Sequence, residues 1–203
     1  VVYYYAARLR LLNQSIRYRR HFALAEFDPD ATELPAEVVA WFADVRDELT
    51  PLGFQAVRHF LFPDFRFGLV AVVVVYENHA EGLSTRATAI YNDEAATGLP
   101  SMLQATTVDF ITKFMDGSEQ RTCHNGVVFT YTSLPYRLTQ LPIPLDLEPV
   151  YRVHQYLVET YEVEPLRRLP PPEDWIDRLR HDYRQYLLVL EQTGGLSPNA
   201  SGD

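Results

Sequence analysis

The chain has a single cysteine, Cys123, and a single lysine, Lys113, in 203 residues. One cysteine excludes an intrachain disulfide and a cysteine-based zinc site. Of 18 lysines and arginines, the remaining 17 are therefore arginine, too many to be ligands. Such a bias reads as the composition of a GC-rich bacterial genome and not as chemistry. Glycine is sparse at 9 residues, which leaves no glycine-rich phosphate cradle. GxSxG, P-loop, GxGxxG and paired-carboxylate signatures do not occur. No stretch approaches the roughly 18–20 apolar residues of a membrane span. The longest apolar run, Leu69 to Tyr76, has the length of a strand. The stretch as given thus holds neither a span nor a signal peptide.

What is present is ordinary for a globular domain: 47% hydrophobic and 22% charged residues. The net charge of −9 argues against a nucleic-acid binder, which needs a basic surface. The one basic concentration is at the start. Arg8, Arg10, Arg17, Arg19 and Arg20 precede any acidic residue, and Tyr3, Tyr4 and Tyr5 precede them. Tyrosine favours the membrane interface and arginine the cytoplasmic flank. The chain begins at Val1 without Met, so an upstream segment is one expectation, and location at the membrane would be peripheral or through an anchor there. Tyr5, Leu9, Leu12 and Ile16 also share one helical face. Residues 1–30 are therefore read as a basic, aromatic helical segment. It is either juxtamembrane or packed on the domain, and Asp28-Pro29-Asp30 ends it.

An α+β domain is expected over residues 31–165. Pro35 and Glu37 open a helix with Val38, Phe42, Val45 and Leu49 on one face, and Pro51 and Gly53 close it. Strand patterns follow. Phe54–Phe62 ends at Pro63-Asp64. Phe65–Glu77 carries Val72 to Val75, apolar on both faces, as in a central strand covered on both sides. Leu83–Tyr91 alternates, residues 92–100 form a loop, and Met102–Met115 is a long strand. Asp116-Gly117 and Asn125-Gly126 are read as two-residue hairpin turns, with return strands Ser118–His124 and Val127–Ser133. Residues 134–146 read as irregular. A helix from Pro149 follows, then a C-terminal helix within 166–193 packed on the domain, and a disordered tail over 194–203. The expected architecture is an antiparallel meander of about five to six strands. Helices stand before and after it and mainly cover one face.

Each candidate for chemistry has a plainer structural reading beside it. Cys123 and His124 are adjacent, and strand neighbours point to opposite faces, so the histidine does not serve the cysteine. None of the six histidines has metal-ligand spacing, although His59 and His124 are both on strands and can meet in space. Asp109 and Lys113 share a strand face, and Arg86 and Arg121 can pair with Asp109 or Glu119 across strands. Tyr151, Tyr156 and Tyr183 can coat a partner surface or cap the sheet. The Asn199-Ala200-Ser201 sequon sits in the tail and is discounted.

The segment Phe110-Ile111-Thr112-Lys113-Phe114-Met115-Asp116-Gly117 with Thr122 and Asn125, and Leu52-Gly53-Phe54 after an amphipathic helix, resembles a pattern in uncharacterised bacterial proteins, often membrane-anchored. That resemblance implies an anchored N-terminus and no catalytic residues. The resulting expectation is a non-enzymatic accessory or assembly subunit at the cytoplasmic side of a bacterial membrane. It would bind a protein partner and an anionic lipid surface, without metal, cofactor or nucleic acid. Two alternatives remain open. One is a soluble, cytoplasmic small-ligand module with an aromatic pocket between sheet and helices. The other is an enzyme without a recognisable motif.

Overall fold

The computed structural model describes residues 23–66, 68–124, 137–141, 146–161 and 174–192. Tyr3, Tyr4, Tyr5 and the five N-terminal arginines lie outside them, as do the Asn125-Gly126 turn, the Val127–Ser133 strand and the tail.

Helix α1 spans Ala36–Leu49. The Pro35 carbonyl accepts from the amides of Val38 and Val39 at 2.9 and 3.1 Å. The helix ends as its sequence requires. A short 3-10 turn, Thr50–Leu52, runs into Gly53, whose φ of 85° is left-handed. The Phe54 amide returns to the Leu49 carbonyl at 3.2 Å. Val38, Val45 and Leu49 face the core, with Phe42 packed beside them.

The chain then builds one seven-stranded sheet in sequence order, β1 to β7. The strands are β1 (Ala25–Glu26), β2 (Gln55–Arg66), β3 (Leu69–Asn78), β4 (Leu83–Asn92), β5 (Leu103–Lys113), β6 (Glu119–His124) and β7 (Arg137–Leu141). A one-turn helix α2, Glu94–Thr97, capped by the Asp93 carboxylate, sits between β4 and β5. Two long helices follow the sheet: α3 (Leu147–Tyr161) and α4 (Trp175–Gln192). The α+β class is as expected, with more strands than the patterns suggested.

Four details depart from the sequence reading. First, Ala25–Glu26 is a strand on β2, not the end of a helix, and Leu24 beside it is buried. Second, β2 runs through Pro63-Asp64. The β2–β3 register shifts between Phe62 and Arg66, so Pro63 lies in an irregularity of the ladder, one of the few places a sheet tolerates it. Third, residues 137–141, expected to be irregular, form β7, and β7 pairs parallel to β6. A parallel neighbour needs a connection of about a dozen residues, which residues 125–136 supply.

The fourth concerns the turn at Asp116-Gly117. The Gly117 amide donates to Phe114 O at 3.0 Å and the Phe114 amide to Ser118 O at 2.9 Å. That is a three-residue loop with glycine left-handed at the end, φ 83°, instead of the two-residue type expected. A Cβ at Gly117 meets nothing within 4 Å. The cost of a side chain there is therefore backbone strain alone. Gly117→Val is expected to lose roughly 1 kcal/mol or more, and Gly117→Asn distinctly less, because asparagine tolerates this region. Thermal melts of the two variants check the difference.

Both faces of the sheet are covered. Val72, Val74 and Tyr76 meet α1 and α3, whereas Val73 and Val75 meet α4. The unbroken β-branched run is thus the central strand its composition implies. Among the described residues, two of the three long helices share one face and α4 covers the other.

Candidate functional site

The polar groups of the sheet concentrate at β4, β5 and β6, and alternation sends them to opposite faces. On the α4 face lie Arg86, Asp109, Glu119 and Arg121; on the α3 face lie Thr85, Thr112, Gln120 and Thr122.

The α4 face carries an ion-pair network. Arg86 donates to Asp182 at 2.8 Å and stands 3.6 Å from Asp109. Arg121 donates to Asp182 at 2.8 Å and pairs with Glu119, which also accepts from Arg178. Arg178 reaches Asp182 at 3.0 Å, one helical turn along α4. Burial pushes the Asp182 carboxyl up, but Arg121, Arg86 and Arg178 together outweigh it and hold it below the usual carboxylate range. Beside the network, Trp175 Nε1 donates to Glu77 Oε1 at 2.7 Å, with His79 3.3 Å from the other carboxylate oxygen. The cross-strand pairing of Arg86 and Arg121 with Asp109 and Glu119 follows from the strand register. Sequence reasoning missed Asp182, and its only sequence signal is its i,i+4 spacing from Arg178.

The α3 face carries a buried histidine. His154 Nε2 meets the Thr112 hydroxyl and Nδ1 the Thr122 hydroxyl, each at 2.9 Å. Which threonine hydroxyl donates and which accepts follows from the tautomer of the ring. Phe54, Phe110 and Tyr151 stack edge-on or tilted on one another, with centroids 5.5–5.8 Å apart, and the Phe110 ring lies 6.0 Å from the imidazole. Gln120 donates to Arg121 O at 3.0 Å. Among the described residues, its carbonyl oxygen and the Thr85 hydroxyl are buried without a hydrogen-bond partner.

Of the proposed surface tyrosines, Tyr151 and Tyr183 are core residues, 5% and 9% exposed. The Tyr151 hydroxyl donates to Glu81 at 2.7 Å, and the Tyr183 ring packs 6.3 Å from Phe65. Only Tyr156, at 67%, faces solvent. Cys123 is buried on the Asp109 face, whereas His124 follows Thr122 on the other, so the pair does not act together. His59 on β2 and His124 on β6 have three strands between them and do not meet. Burial lowers the His59 pKa, partly offset by Glu26, Asp28 and Asp30. Among the described residues no group of three or more His, Cys, Asp or Glu is placed to hold a metal. Among them, too, no helix is long and apolar enough to cross a membrane.

Comparison with protein families, with curated proteins and with solved structures finds no match for this chain.

Proposed function

We propose that this chain is a non-enzymatic accessory or assembly subunit that binds a protein partner at the cytoplasmic face of a bacterial membrane. The observation that carries the non-enzymatic part is the internal matching of the network. Three arginines, Arg86, Arg121 and Arg178, meet three carboxylates, Asp109, Glu119 and Asp182. These ionisable groups beneath α4 are engaged with each other. Apolar side chains are meanwhile presented outward at Val39, Leu99, Met102, Met115, Tyr156 and Leu188. The membrane part rests on Tyr3, Tyr4, Tyr5 and the basic run from Arg8 to Arg20.

Anionic vesicles test it. Leu24 and β1 belong to the fold, so a deletion that isolates the basic segment starts the chain at Ala23. Each arginine near a charged surface contributes about 1 kcal/mol. Replacing Arg8, Arg10, Arg17, Arg19 and Arg20 with Gln is therefore expected to abolish cosedimentation while leaving the melting temperature in place. Unchanged vesicle binding sinks the membrane reading. A second reading, a small-ligand module, draws support from the unpartnered Thr85 hydroxyl and Gln120 carbonyl on the α3 face. Native mass spectrometry of the same protein, by showing a retained small molecule, would favour it.

A further inference from the structure

Helix α4 is the most polar of the three long helices. Its seat on the sheet has an apolar part and an ionic part. Trp175 and Leu179 lie on Phe60, Phe62, Val73 and Val75. Arg178 and Asp182 reach across to Glu119, Arg86 and Arg121.

The charges divide in a telling way. On the sheet, Arg86 stands beside Asp109 and Arg121 pairs with Glu119, two cations with two anions. On the helix, Arg178 pairs with Asp182, one with one. Each of these six charges has a partner on its own surface, and a further tie is the Glu77 carboxylate, which accepts from Trp175 of α4. A buried ion pair split between two elements normally ties them together, because parting them strands a charge. Here parting leaves each of the six with a partner on its own side. The opposite face is built otherwise: the α3 amide at Leu147 is capped by Glu48 of α1 at 2.7 Å, and His154 is bonded to two strands.

We propose that α4 is a releasable cover, which lifts from the sheet while β2 to β6, α1 and α3 stay folded. Release turns outward an apolar strip, Phe60, Phe62, Val73 and Val75, flanked by the Arg86, Asp109, Glu119 and Arg121 row. A mixed apolar and charged surface of this kind resembles those at which domains meet reversibly.

Native-state hydrogen exchange on the full chain tests the idea. The α4 amides from Leu179 to Arg184 are expected to exchange through an opening that spares β3. That opening should become roughly tenfold more populated between about 0.01 M and about 1 M salt, which shields the exposed charges. The double variant Arg178→Gln, Asp182→Asn removes the cross-surface pairs and leaves the four sheet charges partnered among themselves. It should lose protection in α4 and keep it in β3. If α4 and β3 amides exchange only together at every salt concentration, the cover does not lift and the proposal fails. Failure of the double variant to fold would equally overturn it, by making the α4 contacts a condition of the whole fold.

Discussion

Replacing Arg121 with Met is expected to destabilise the fold by about 3 kcal/mol or more, the cost of leaving a buried charge uncompensated. Glu119 and Asp182 both lie against that guanidinium, and all three side chains are largely withdrawn from water. Without Arg121, three carboxylates face two arginines. Adding Glu119→Leu restores the balance, since Arg86 and Arg178 keep Asp109 and Asp182. The double variant should therefore recover most of the loss, as paired apolar replacements commonly do. Urea melts of the two single variants and the double variant decide it; additive losses would mean the network is not a unit. The same network sets an acid limit. Asp182 titrates below its ordinary value in the folded state. Its contribution is therefore complete above about pH 4, the unfolded value, and is lost as pH falls through the lower folded value.

His154→Ala is expected to cost about 3–5 kcal/mol, combining a core cavity with two stranded hydroxyls. The ring is fully buried and links α3 to β5 through Thr112 and to β6 through Thr122. If the hydroxyls matter, His154→Leu with Thr112→Val and Thr122→Val should be more stable than His154→Leu alone. Replacing both sides of a buried hydrogen bond removes the desolvation penalty. Chemical denaturation of the three proteins gives the comparison. A loss under about 1 kcal/mol for His154→Ala, the worth of one ordinary hydrogen bond, would mean that α3 is held by its apolar face alone.

Much of the architecture was legible because it is written locally. The run Val72 to Val75 names a strand covered on both sides, and Asp116-Gly117 names a hairpin, though the loop closes over three residues and not two. The pairing of Arg86 with Asp109 also follows from local register, since the two residues stand directly opposite on β4 and β5. Strand β7 was not legible. Pro135, Pro142 and Pro144 punctuate its surroundings, and parallel pairing by crossover leaves no turn signal. The two polar centres were hidden for a related reason. His154 meets threonines 42 and 32 residues away, and Asp182 meets arginines 96 and 61 residues away. Spacing rules reach along one element, and these contacts depend on which helix lands on which face.

The strand order has a consequence for how the chain reaches this state. From β2 to β6 every strand pairs with its immediate successor, so each step closes a short loop at small entropic cost. Such topologies reach their transition states faster than sheets built from distant segments. The exceptions are at the borders. β1 must wait for β2 across helix α1, and β7 must cross over to lie parallel with β6. The middle of the sheet can thus assemble by successive hairpins, while its two margins join last, which makes those margins the natural places for the sheet to fray.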